Sequence, residues 1–222
     1  MKMFCTLLIL LNSFQTMALE SLDFREELTA NELTQTLEYP LVKTEKSKGA
    51  WPIVSLYQVI DASPLESVAI FYALDYQKEY VPNLIVSEVV KMVSPTVAHT
   101  KYEMKMPWPI SNSTYIHASE LSAQKPSSYK VRWWMVESSS AEKVDGYAIF
   151  IPYKDKTLMK YWAHVEPKSF LASFVKNKMV EDVTSSLIAT KKEIEEVKLN
   201  KKHILRKYVT YIDDALSGKK VY

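Results

Sequence analysis

Histidine is the side chain of this sequence best suited to acid–base chemistry near neutral pH, because its ordinary pKa is about 6.5. His117 lies in a strand-like segment, and inside an apolar cavity it could act as a general base. Glu103 and Glu120, two nearby carboxylates in the sequence, fall on the opposite strand face when His117 points inward. We therefore favour a hydrogen-bonded histidine of the core or rim over a base, and we assign no catalytic residue.

Metal-binding and nucleotide-binding patterns are missing from the sequence. The four histidines show no ligand spacing, such as a pair four residues apart on one helix. The three glycines are too scattered to form a phosphate-binding loop. We therefore expect neither a metal ion nor a cofactor.

The composition indicates one globular domain of ordinary charge. The chain has 222 residues, of which 47% are hydrophobic, enough to bury a full core. Its 28 basic and 26 acidic residues leave a net charge of +2, too balanced for a dedicated nucleic-acid-binding protein. We expect a monomer without a nucleic-acid partner.

The first eighteen residues resemble a cleaved signal peptide. Lys2 precedes an apolar run over residues 3–11, and small residues precede a cleavage site after Ala18. The alternative is a membrane anchor, but the run is far shorter than the ~20 residues that span a bilayer. Cleavage would remove Cys5, the single cysteine. We predict a periplasmic or secreted protein with a domain over residues 19–205 and a tail over 206–222.

The N-terminal part of the domain reads as helix, strand and helix. Leucine spacing predicts a helix over residues 22–37, and a β-branched apolar run predicts a strand over 51–60. Ser63 as the N-cap and Pro64 at the first helical position predict a helix over 65–74, followed by a second short helix.

The remaining chain alternates with the period of strands and then changes to that of a helix. Six strand-like segments, joined by short polar or proline-containing turns, predict an antiparallel meander: residues 85–93, 97–106, 114–121, 129–136, 146–151 and 158–165. From Lys168 onward apolar residues recur every fourth position, which predicts a long helix against the sheet. Periodicity alone therefore indicates an α+β fold.

One short segment carries a family resemblance. Pro107-Trp108-Pro109-Ile110-Ser111-Asn112 resembles the Pro-Trp-Pro, Ser-Asn signature of START domains, and residues 59–64, 75–82 and 164–168 resemble further landmarks in the same order. The resemblance implies a helix-grip fold, in which a curved antiparallel sheet of about seven strands encloses a lipid beneath the C-terminal helix.

The sequence departs from the family at charged positions. Ser113 and Thr114 replace the arginine and aspartate that follow Ser-Asn in many members. Sterol carriers of the family bury charged groups on the flanking strands, where this chain matches Thr100 and Ser119. A charged lipid headgroup therefore has no obvious partner.

Strand alternation and the resemblance together predict the residues that line a cavity. The predicted ligand-binding set is Tyr102, Met104, Tyr115, His117, Val131, Trp133, Tyr161 and Phe174. The same residues would also suit a filled core. We predict a protein that binds a lipid or another apolar molecule. The alternatives are a cyclase or hydrolase that uses the same cavity and an interaction module with a filled core.

The basic tail allows two interpretations. Lysine and arginine clusters beyond residue 200 could make transient contact with an anionic membrane surface. We favour a solvated extension of the last helix, with its apolar residues packing locally.

Overall fold

The structure is a computed structural model that describes residues 22–106, 111–124, 127–168 and 176–222. Three sequence predictions lie outside the described residues: the signal segment over residues 1–18, most of the Pro-Trp-Pro motif at 107–110, and Phe174. No helix in the described ranges is long and apolar enough to span a membrane.

One curved antiparallel sheet of eight strands dominates the described chain. The strands are β1 (Leu41–Glu45), β2 (Ile53–Ile60), β3 (Leu84–Ser94), β4 (Val97–Met104), β5 (Ser113–Gln124), β6 (Ser128–Ser138), β7 (Ala141–Tyr153) and β8 (Lys156–Pro167). Their order across the sheet is β1-β2-β8-β7-β6-β5-β4-β3. The predicted meander is therefore confirmed over β3 to β8, and β8 returns to pair with β2.

The sheet has one strand more than the expected number of about seven. The additional strand, β1, pairs only with β2 and carries Lys43 and Glu45. Charged residues are common on edge strands, where they discourage pairing with another chain. Because they also obscure the apolar alternation, the sequence pattern does not predict β1.

Four α-helices lie within the described ranges: α1 (Ala30–Gln35), α2 (Pro64–Phe71), α3 (Lys176–Asn200) and α4 (Lys202–Leu216). The predicted start of α2 is confirmed, because the Ser63 hydroxyl accepts from the Glu66 amide at 3.3 Å. The predicted helix over 22–37 is shorter than expected. It is a 3₁₀ turn at Arg25–Glu27 followed by α1, whose capping box begins at Thr29.

The long C-terminal helix is confirmed as α3, which covers the inner face of the sheet. Leu187, Ile194 and Val197 on this helix are fully or nearly fully buried. Gln58 of β2 is also buried, and its Nε2 donates to the Leu187 carbonyl oxygen at 3.1 Å. Apolar contact and this hydrogen bond together hold α3 on the sheet.

The chain beyond α3 forms a separate helix rather than an extension of it. Tyr208, Ile212 and Ala215 are the buried residues of α4, which packs against α2. The boundary that we placed between residues 205 and 206 therefore falls inside α4, and the expectation of a solvated extension is wrong. The apolar residues of α4 do not pack locally, because their partner is α2, which is distant in sequence.

The side chain of Tyr222 holds the C-terminal end of α2. Its hydroxyl accepts from the Leu74 amide at 3.0 Å and donates to the Tyr72 carbonyl oxygen at 2.7 Å. We expect Tyr222→Phe to lower the free energy of unfolding by about 1–2 kcal/mol, because two hydrogen bonds from the hydroxyl to backbone groups are lost. Urea unfolding measures this loss, and Tyr39→Phe, at an exposed tyrosine, is the matched control. Equal stability of the two variants would contradict the prediction.

Candidate ligand-binding cavity

A cavity of about 200 Å³ lies between the inner face of the sheet and the helices above it. The sheet supplies aromatic and apolar side chains, and α2, α3 and the chain between α2 and β3 supply the other walls. The lining residues are Phe71, Leu74, Gln77, Tyr80, Val81, Leu84, Tyr102, Met104, Tyr115, His117, Ser119, Val131, Trp133, Tyr161, Ser186, Leu187 and Thr190. This space argues against the filled core that the sequence left open.

The structure brings seven of the eight predicted residues to this one cavity. They are Tyr102, Met104, Tyr115, His117, Val131, Trp133 and Tyr161. Strand alternation accounts for this outcome, because each of them lies on the inner face of β4, β5, β6 or β8. That these residues bind a ligand stays a prediction.

The helical walls of the cavity were missed in the sequence. Phe71 and Leu74 come from α2 and its C-terminal end, a segment whose apolar residues do not single out one face. Ser186 and Thr190 are polar, so they do not stand out as lining residues. Their spacing of four, on either side of the inward-facing Leu187, was the signal that could have identified them.

Three neutral rings form one wall of the cavity. Tyr102 and Tyr115 are cross-strand partners with ring centroids 5.3 Å apart, and the His117 ring lies 4.5 Å from that of Tyr115. Burial lowers the pKa of His117 to about 4 and raises the pKa values of both tyrosines. All three rings are therefore uncharged near neutral pH.

Trp133 forms the floor of the cavity beside this wall. Its indole lies 5.1 Å from the Tyr161 ring and 6.1 Å from the Phe71 ring, measured between centroids. Val131, two residues before Trp133 on β6, is buried on the same face. This part of the lining offers flat, apolar contact area.

Comparison of the fold identifies its class. A STAR-related lipid transfer protein from Xanthomonas axonopodis superposes with a TM-score of 0.64 at 16% identity, over 71% of this chain and 94% of that one. Human StAR-related lipid transfer protein 5 gives 0.61 at 10% identity, over 72% and 84%. The chain has the START fold. The Zhui aromatase/cyclase from Streptomyces sp. R1128 shares this fold, with a TM-score of 0.58 at 9% identity over 67% and 96%.

The START fold is recognisable here only in three dimensions and in short motifs. No protein-family model matches the sequence, and no curated protein is significantly similar to it. The α+β class, the antiparallel sheet and the long C-terminal helix expected from periodicity are confirmed, as is the helix-grip fold that the motif resemblance implies. The helix α4 follows α3, the long C-terminal helix typical of this fold.

The cavity of this START fold has an uncharged lining. Among the described residues that surround it, none is an aspartate, glutamate, lysine or arginine. Thr100 is completely buried opposite His117, and Ser119 lines the cavity, so neither matched position supplies a charge. Ser113 and Thr114 bond instead to the turn at 138–140 through Ser140 and Ser139.

Proposed function

We propose that this protein binds a lipid or another hydrophobic small molecule, and that the enclosed part of the ligand is uncharged. The observation that carries the proposal is the described lining of the cavity, which is mostly aromatic and apolar and holds no aspartate, glutamate, lysine or arginine. Burial of apolar ligand surface stabilises a complex by about 25 cal/mol per Å². An ionised group in the same space would lose its hydration without gaining a partner.

A few neutral polar groups are available to orient such a ligand. Near neutral pH the His117 imidazole offers one N–H donor and one nitrogen acceptor. Tyr102, Tyr115 and Ser119, each of which carries a hydroxyl group, lie on the same wall of strands β4 and β5. We infer that a hydroxyl or carbonyl group of the ligand faces this wall and that its apolar part faces Trp133.

The setting of this binding is part of the proposal. The predicted signal segment supports a role in the periplasm or outside the cell, where the protein would carry its ligand as a monomer. Two of the proteins that share its fold are named as lipid transfer proteins, which favours carriage. Lys202 and Arg206 are exposed on α4 and would allow transient contact with an anionic membrane during exchange.

Binding fits the cavity better than catalysis does. An aromatase/cyclase shares the fold, so an acid–base reaction in the same space is the competing function. Among the described lining residues, however, His117 has ring neighbours but no carboxylate to orient it. Neutral hydrogen-bonding groups around an apolar space are what a binding site requires.

A fluorescence titration tests the proposed function. The chain without residues 1–18 is titrated with 1-naphthol, an uncharged probe, which is then displaced by 1-octanol or by octanoate at about pH 7.5. We expect saturable uptake of the probe and at least about tenfold tighter binding of the alcohol than of the carboxylate. The function is overturned if the probe is not taken up or if octanoate binds as tightly as 1-octanol.

Two neighbouring residues provide a matched pair of variants for this titration. Leu84 lines the cavity, whereas Ile85 is 47% exposed on the same strand. We expect Leu84→Glu to weaken 1-naphthol binding at least about tenfold, because it places a carboxylate in the neutral lining. Ile85→Glu should bind as the unmodified chain does, with circular dichroism showing that both variants fold. Equal loss in both variants would locate the probe outside the cavity.

A further inference from the structure

Gly146 of β7 lies directly beneath the Trp133 indole. The two residues are cross-strand partners. A Cβ atom added at Gly146 would lie 2.5 Å from Cε2 and 2.7 Å from Nε1 of Trp133, closer than non-bonded carbon atoms approach. The absence of a side chain at this position allows the indole to lie flat against the sheet.

Across β4 to β8, the row of cross-strand partners at this level is small except for Trp133. It runs Ala98, Ser119, Trp133, Gly146, Ala163. Small neighbours on both sides leave room for a single large ring on the cavity floor. The indole packs against the glycine on the β7 side.

The Trp133 indole has three close neighbours. Tyr161 flanks it at 5.1 Å and Phe71 of α2 at 6.1 Å between ring centroids, while Gly146 supports it from below. In a close-packed interior, an added side chain displaces its neighbours, because there is no free space to absorb it. A side chain at position 146 would therefore lift Trp133 into the space that the ligand would occupy.

We infer that Gly146, acting through Trp133, sets the depth of the cavity and thereby the length of the uncharged ligand chain that it encloses. The inference rests on the proposed function and adds a size limit to it. A volume of about 200 Å³ is little more than the ~150 Å³ that admits benzene. A displacement of the floor by one methyl group is thus a large fraction of the available depth.

A homologous series of alcohols tests the size limit. Displacement of 1-naphthol by 1-alkanols from butanol to decanol should show affinity rising about fourfold per added CH₂ until the cavity is filled, then levelling off. In Gly146→Ala we expect the affinity to level off about one carbon earlier. The longest alcohols should bind this variant at least about fourfold more weakly than they bind the unmodified chain. Trp133→Phe should move the plateau to longer chains, and Trp133→Phe with Gly146→Ala should return it toward the original length. Gly49→Ala, whose added Cβ atom would meet only the side chains of Glu166 and Ser47, is the matched control.

The outcomes separate this inference from the proposed function. If the unmodified chain binds neither probe nor alcohol, the proposed function fails and the size limit fails with it. If it binds the series but Gly146→Ala levels off at the same chain length, the size limit alone is overturned. Should Gly146→Ala not fold, Trp133→Phe decides, because an unchanged plateau in that variant also overturns the size limit.

Discussion

Glu27→Ala is expected to lower the free energy of unfolding by about 2–3 kcal/mol, more than an exposed glutamate normally contributes. The reason is its partner, Lys160 of β8, whose side chain is only 9% exposed. The Lys160 Nζ lies 2.6 Å from both Glu27 carboxylate oxygens, and the Tyr57 hydroxyl donates to one of them at 2.7 Å. Without the carboxylate, a buried ammonium group loses its counter-charge.

The surroundings of Lys160 make water a poor substitute for Glu27. Its Nζ lies 5.5–6.0 Å from the centroids of the Phe24, Tyr57 and Tyr147 rings. The N-terminal segment that carries Glu27 also contributes Phe24 and Leu28 to the apolar cluster on this outer face of the sheet. Loss of the ion pair should therefore loosen the whole segment from the sheet.

Urea unfolding of three variants tests this account. Glu27→Ala should be strongly destabilised, whereas Glu27→Ala with Lys160→Met should recover to within about 1 kcal/mol of the unmodified chain, because no unpaired charge remains. Glu26→Ala, an exposed neighbour in the same 3₁₀ turn, should change stability by less than about 0.5 kcal/mol. If Lys160→Met failed to rescue Glu27→Ala, the loss would not come from the unpaired lysine.

The sequence predicts which side chains point to this outer face of the sheet, but not which segment covers them. Strand alternation predicts that Lys160 and Trp162 point away from the cavity, and the structure agrees, since Trp162 stacks on Tyr147 outside it. Alternation does not predict what lies on that face. Burial of Lys160 depends on Glu27, which is 133 positions away along the chain. A local sequence pattern does not predict a contact between residues so far apart.

The same difference between local and distant contacts separates helices α2 and α4. The start of α2 is predicted because its capping residues, Ser63 and Glu66, are three positions apart. The placement of α4 is not predicted, because its buried Tyr208 and Ile212 pack against an α2 helix far away in sequence. Cavity-lining residues on strands are found by their period of two, whereas those on the mostly apolar α2 are not.

The second large effect that we expect is a loss of stability in mild acid that depends on His117. Burial lowers the pKa of His117 to about 4 in the folded chain, compared with about 6.5 when unfolded. Between these pH values the unfolded chain binds the additional proton, so the free energy of unfolding falls as the pH falls through this window. The contribution of His117 is complete above about pH 6.5 and is lost as the pH falls to about 4, a change of about 3 kcal/mol.

Removing the imidazole isolates this effect from the titration of carboxylates. His117→Gln keeps a neutral polar side chain, so its stability should fall less than that of the unmodified chain between about pH 6.5 and 4. His203→Gln, at an exposed position on α4, is the matched control and should retain the full loss. Urea midpoints at several pH values measure the difference. Equal slopes for His117→Gln and the unmodified chain would mean that His117 is not the group whose protonation opposes folding, and that the cavity wall is better hydrated than its neutral rings imply.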